Sequence, residues 1–120
     1  MDLSPDEDNF QGRLLHQAAL WDNVDLFVEL LQNGADINSR DAFGRTCAHA
    51  AAVSERSQCL AVLCARAADV DVKSDERQGG KTALHIAAER GHSDNVRALV
   101  RAGADCDVTD AEGNTPLALA

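Results

Sequence analysis

The chain has 120 residues and a mass of 12.8 kDa, with 45% apolar and 26% charged residues, which suits one compact domain with a continuous core. Eleven Lys and Arg against twenty Asp and Glu leave a net charge of −9, a surface that repels phosphates and disfavours nucleic acid or an anionic membrane as partner. Aromatic residues make up only 3%, too few for stacking platforms or cation cages. No apolar run approaches the ~20 residues of a membrane span. The opening MDLSPDEDNF lacks the basic and apolar regions of a signal peptide. Cys47, Cys59, Cys64 and Cys106 show neither C-x-x-C nor zinc-finger spacing. Reduced thiols and a cytoplasmic or nuclear location are the expectation.

In chain order, residues 1–7 read as an acidic leader, a solvated tail or linker. The run LLHQAAL begins a helical pattern that resumes at Val24, Phe27, Val28 and Leu31 with i, i+3, i+4 spacing. Gly34 supplies a left-handed stop. The stretch from Asp41 to Gly44 is turn chemistry, and Thr46 is a good N-cap for a short helix, TCAHAAAV. A second helix, LAVLCARAADVDV, follows it. After KSDERQGG the pattern returns as Thr82 with TALHIAAE, then Val96, Leu99 and Val100, stopped by Gly103. A last turn from Asp110 to Gly113 precedes Thr115 and Pro116, whose missing N–H costs nothing in a first helical turn.

These pieces recur with a fixed period. His16 lies 33 residues before His49, and Thr82 lies 33 before Thr115. Gly34 and Ala67 are 33 apart but Ala67 and Gly103 are 36 apart, so three extra residues sit within KSDERQGG. A helical pair this short cannot bury its own apolar stripe, whereas stacking on a neighbour can. The pattern D-x-x-G-x-T-x-L-H-x-A-A with L-x-x-G-A-D resembles the ankyrin repeat over roughly residues 8–120. That resemblance implies an all-α solenoid of stacked antiparallel helix pairs with protruding β-hairpin-like loops. Its units are 8–40, 41–76, 77–109 and a partial 110–120. Arg13 stands where the family has Thr, a polar change usual in an N-terminal cap. In the second unit Cys47-Ala48 replaces Pro-Leu, Glu55 replaces the mid-unit Gly, and Ala67 replaces the Gly after the second helix. An Ala at positive φ costs about 1 kcal/mol, so this central unit is expected to be the weakest. Ending inside a helix at Ala120, the sequence reads as a fragment of a longer protein.

Aligned by unit, Cys59, Cys64 and Cys106 take places where sister units carry Val, Leu or Ile, and Cys47 takes that of Pro116. All four read as small buried hydrophobes. The resemblance gives His16, His49 and His85 rings that tie adjacent loops together, too far apart along a solenoid to share a metal. His92 reads as structural too. Gly80-Lys81-Thr82 looks like the end of a phosphate loop, but Asp75 stands where its first glycine is required. No G-x-S-x-G, H-E-x-x-H or calcium-loop pattern is present, so no catalytic residue, cofactor or metal site is assigned.

What remains is a surface. The resemblance implies binding through a concave face and hairpin tips, which here are Leu20, Trp21, Arg40, Ala42, Phe43, Arg45, Val53, Ser54, Lys73, Gln78, Lys81, Glu89, Arg90, Glu112 and Asn114. Trp21 aligns with the polar Ser54 and Arg90. Flanked by Phe43 and bordered by Arg40 and Arg45, it has hot-spot composition; alternatively it folds over the open N-terminal end of the stack. The lengthened tip with Asp75, Glu76 and Gln78 is either a recognition loop or a tolerated insertion. Asn38, with Leu30, Asp36 and Ile37, resembles the ankyrin context of an asparaginyl hydroxylase; alternatively its side chain stabilises a hairpin. The expected function is a monomeric protein–protein interaction module, an adaptor, scaffold or regulator that binds another protein or peptide, of basic character given the −9 charge. The alternatives are regulation of a transcription factor, similar to the NF-κB inhibitors, or substrate recruitment within a larger enzyme such as a ubiquitin ligase or kinase.

Overall fold

The computed structural model describes residues 6–119 except Arg56 and Ala67, with side chains from Gly12 onward. The expected strain at Ala67 and the first five leader residues lie outside the described residues. Among the described residues seven α-helices follow in order: α1 Asp6–Leu20, α2 Val24–Gln32, α3 Cys47–Ala51, α4 Gln58–Ala65, α5 Ala83–Glu89, α6 Ser93–Arg101 and α7 Pro116–Leu119. No strand occurs among the described residues, so the loops between units are hairpins only in path.

Odd-numbered helices pack side by side in one row, α1 on α3, α3 on α5 and α5 on α7, while α2, α4 and α6 form a second row behind them. Small side chains permit the close approach of the first row: Ala18, Ala19, Ala48, Ala51, Ala52, Ala83 and Ala87 are all buried. The large residues Leu15, Phe27, Leu60, Leu63 and Leu99 are fully buried and fill the space between the rows. The result is elongated, 49 × 28 × 21 Å, as a stack rather than a ball should be.

Helix starts follow from local chemistry. Thr82 Oγ1 accepts the His85 N–H at 3.4 Å, while the Thr82 N–H donates to His85 Nδ1 at 3.1 Å, a reciprocal cap. Thr46 and His49 form the same box at the start of α3. With Arg13 in place of threonine and no turn before it, α1 lacks that start signal and extends back to Asp6, two residues ahead of the unit boundary at residue 8. Helices α2 and α6 end as the glycines require, at Gly34 (φ 97°) and Gly103 (φ 93°).

Three loops separate the units. Each is closed by a backbone bond: Asp41 N–H to Arg45 O at 2.8 Å, Ser74 N–H to Lys81 O at 2.9 Å and Asp110 N–H to Asn114 O at 2.8 Å. The middle loop is longer by the three residues counted from the period, and it holds them as a 3-10 turn, Glu76–Gln78. Behind the loops runs a ladder. The carboxylates of Asp36, Asp69 and Asp105 each accept the N–H two residues on, from Asn38, Asp71 and Asp107. Asn38 Oδ1 then accepts the Asp69 N–H at 3.0 Å, and Asp71 Oδ1 accepts the Asp105 N–H at 2.9 Å, so each unit is stitched to the next.

The central pair has no glycine in its inter-helix turn, yet that turn is held from both sides. From the first unit, Asp22 (φ 54°) accepts the Cys59 N–H at 3.0 Å, and Leu20 O accepts the Ser54 hydroxyl at 3.1 Å. From the third unit, the buried Asn95 accepts the Ser57 N–H at 3.1 Å and donates its amide to Ser54 O and Ala52 O. His92 adds a bond to Ala52 O at 3.3 Å.

Candidate functional site

The three repeated histidines stiffen the loops that frame the concave face. Because Nδ1 of His49 and of His85 accepts a threonine N–H, the ring proton sits on Nε2 and donates to the next loop, to Lys81 O at 2.7 Å and Asn114 O at 2.9 Å. His16 Nε2 reaches Ser39 O at 3.1 Å. Each imidazole is thus committed to a neighbouring backbone. Burial holds the His49 ring below its ordinary value despite the bond to Lys81 O. Among the described residues no three His, Cys, Asp or Glu side chains converge as metal ligands.

Between these loops and the first row of helices lies a groove of about 200 Å³. Its floor is Leu20, Ala50, Val53 and Ile86, and its polar wall is Gln17, Asp41 and Arg45, with His16 and His49 behind. Of the residues expected from the sequence, Leu20, Val53 and Arg45 come together here. Gln17, Ala50 and Ile86 were missed. They form one column of the repeat, each directly after the repeated histidine, so aligning units position by position would have found them. A wider hollow of about 740 Å³ beside the first loop takes in Arg40, Ala42 and Phe43 with Gly12, Arg13 and His16.

Trp21 is 78% exposed and lines neither hollow, so it does not fold down as a cover for the first helices. Phe43 is 47% exposed and carries the Arg45 guanidinium 4.9 Å above its ring. Arg45 Nε also donates to Asp41 Oδ2 at 2.9 Å. Burial pushes the Asp41 carboxyl up, but the N–H groups of Arg45 and Phe43 and the Arg45 charge together hold it below the usual range. Asp110 occupies the equivalent place in the last loop. Its Oδ1 accepts the Asn114 and Glu112 N–H groups, whereas Oδ2 is buried and has no hydrogen-bond partner among the described residues, since Asn114 replaces the arginine.

The lengthened tip is not a free loop. Asp75 N–H donates to Phe43 O at 2.9 Å on one side, and Gly79 O accepts the Ala111 N–H at 2.8 Å on the other. Arg40 adds a bond to Lys73 O at 2.9 Å. Its backbone therefore bridges three loops, while the side chains of Asp75, Glu76 and Gln78 are exposed. Lys81 pairs with Glu89 at 2.8 Å, and Arg90 is exposed at the end of α5. Asn38 is exposed, its Oδ1 engaged in the ladder.

The cysteines divide. Cys47 and Cys59 are buried and their thiols pushed up to about 12, chiefly by burial; Cys64 is half-buried. Cys106 is exposed, contrary to its alignment. Ile37 and Val70 fill the same slot and are packed against the core, whereas Cys106 lies at an open apolar hollow with Leu84, Val96, Val100, Pro116 and Leu117.

Helix pairs in two rows, tied by histidines and framing a concave groove, define a helical-repeat solenoid. The family model for ankyrin repeats, in three copies, matches residues 15–110, and the chain belongs to the ankyrin-repeat family. It is similar to the palmitoyltransferase Hip14 of Drosophila melanogaster, 32% identical over 110 residues that cover 92% of this chain and 17% of that protein. It is likewise similar to ankyrin repeat and SOCS box protein 3 of Homo sapiens, 34% identical over 100 residues, 83% of this chain and 19% of that one. The nuclear factor NF-kappa-B p105 subunit of Gallus gallus is 28% identical over 141 residues, 88% of this chain and 14% of its own length. The chain thus spans less than a fifth of the length of these relatives. Ankyrin repeats are protein–protein interaction modules, generally non-catalytic, and the likeness to a palmitoyltransferase lies in the repeats alone.

Proposed function

We propose that this stack acts as the recognition region of an intracellular adaptor or regulator, cytoplasmic or nuclear, and grips another protein along its concave face. The observation that carries this reading is the preformed groove floored by Leu20, Ala50, Val53 and Ile86, with the uncovered Trp21 next in the chain to Leu20. Loops already locked by histidine and ladder bonds lose little order when a partner docks. The net charge of −9 favours the approach of basic partners. Likeness to a SOCS box protein and to an NF-kappa-B subunit supports two narrower versions, substrate recruitment for a larger enzyme and regulation of a transcription factor. Asn38 is the proposed modification site within the same region; intact mass after exposure to an asparaginyl hydroxylase should rise by one oxygen atom.

The test uses the immobilised chain beside its Trp21→Ala and Val53→Asp variants, each first matched to wild type in melting temperature. Proteins captured from lysate by wild type and lost by either variant support the concave face as the interface. Equal recovery by all three puts the interface elsewhere.

A further inference from the structure

The groove and the molecule as a whole differ in charge. Five of the twenty acidic residues stand on the ladder: Asp36, Asp69, Asp71, Asp105 and Asp107 are all exposed there, and none lines the groove. The groove's own charged residues, apart from its histidines, are Asp41 and Arg45. Asp41 is saturated by its own loop, since Oδ1 accepts the N–H groups of Phe43 and Arg45 and Oδ2 accepts Arg45 Nε–H. Arg45 is not. It uses one guanidinium N–H on Asp41, and among the described residues its Nη groups have no acceptor, while its side chain is 44% exposed. Arg40, on the same loop, is committed elsewhere: its Nε donates to Gly44 O at 3.1 Å and its Nη2 to Lys73 O at 2.9 Å, so it serves the loops rather than the groove.

Resting on the reading of the groove as the binding face, we infer that its occupant is an extended partner segment in which a branched aliphatic side chain lies beside a glutamate or aspartate. The aliphatic group fills the floor of Leu20, Ala50, Val53 and Ile86, and the carboxylate takes the free edge of the Arg45 fork. At about 200 Å³ the groove falls below the ~300–1,000 Å³ of small-molecule sites and matches a side chain with its flanking backbone. The planar guanidinium, held in place by Asp41 and by the Phe43 ring, presents paired donors that fit a carboxylate in two-point contact. Net charge governs how a partner approaches, whereas the groove governs which segment settles in it.

The test is titration of the ¹⁵N-labelled chain with three capped octapeptides that carry a central leucine followed by Glu, Gln or Lys. The backbone amides of Gln17, Leu20, Ala50, Val53 and Ile86 should shift with the Glu peptide, which should bind about threefold to fivefold tighter than the Lys peptide, the range of exposed ion pairs. Arg45→Gln should abolish that preference, and Arg45→Lys, which keeps the charge but loses the two-point fork, should keep only a minor part of it. About 0.5 M NaCl should erase it, because screening at that strength acts over only a few ångströms. If Arg45→Gln disturbs the fold, the lysine variant and the salt series decide. Groove shifts with equal or tighter binding of the Lys peptide would overturn the carboxylate inference and leave the groove as the interface. No shifts at the groove with any peptide would remove both readings.

Discussion

The carboxylate of Asp22, at the turn of the first helix pair, accepts the backbone N–H of Cys59 at the start of α4 in the second, at 3.0 Å. Asp22 holds φ at 54°, a conformation that aspartate tolerates better than most residues. Asp22→Ala loses the acceptor and keeps the strain, and should cost about 1–3 kcal/mol in urea unfolding. Asp22→Asn retains an oxygen at the same place and should stay within about 1 kcal/mol of wild type. Equal losses from both would show that the negative charge, rather than the hydrogen bond, holds the turn.

The His49 ring is kept neutral in the fold by burial, below its ordinary value of 6.5. As pH falls through that ordinary value the unfolded chain takes up the proton and the folded one resists, so stability is complete above it and declines below it. The slope should not exceed about 1.4 kcal/mol per pH unit. Asp41 and Asp110, held below the usual 3.8, add a second decline as the pH falls past about 4. Urea midpoints of wild type and His49→Gln between pH 7 and 5 check this: the variant should be less stable but flatter. Parallel curves would mean another group titrates there.

Ala51 is fully buried in α3, which packs between α1 and α5. Ala51→Leu inserts three carbons into a contact built for a methyl group and should cost about 1–3 kcal/mol or more. Thermal melts that leave the midpoint unchanged would show that the helix row can spread.

Thiol labelling should sort the cysteines by depth. Cys106, exposed, should react with iodoacetamide first at pH 8, while Cys47 and Cys59, pushed up to about 12, stay protected until the protein unfolds. Peptide mapping at timed intervals reads the order, and early modification of Cys59 would contradict the packing of α4.

Asn114→Arg copies the Asp41–Arg45 pairing into the last loop and gives the unpartnered Asp110 Oδ2 a donor. The thermal midpoint should rise. A fall would mean that the loop cannot hold the longer side chain as its sister does.

The helix pairs, their capping threonines and the three-residue lengthening were legible in the sequence, because local signals recur at a fixed spacing and the lengthening breaks it; the loop-tying role of the histidines came with the resemblance to the family. What sits between units was harder to read. Asp22 and Asn95 look like ordinary polar residues in turns and helices, and only coordinates reveal that both grip the same neighbouring turn. Cys106 misled because its slot, though apolar, is an open hollow beside Pro116 and Leu117 rather than part of the packed core. The groove was half visible: Leu20, Arg45 and Val53 came with the resemblance, while Gln17, Ala50 and Ile86 carried no signal of their own and appear only as one column across the units. The lengthened tip read as either a recognition loop or a tolerated insertion, and its backbone bonds to the loops on either side are invisible to composition.

One rung of the ladder bears on how the molecule ages. Asn38 contributes only its carbonyl oxygen to the next unit, and Asp71 performs the same task one unit later with a carboxylate. Spontaneous deamidation of Asn38 to aspartate would therefore leave the stitch between the first two units in place and add one more negative charge to that edge. Molecules that carry aspartate there would keep the shape of fresh ones and part company with them on an ion-exchange column.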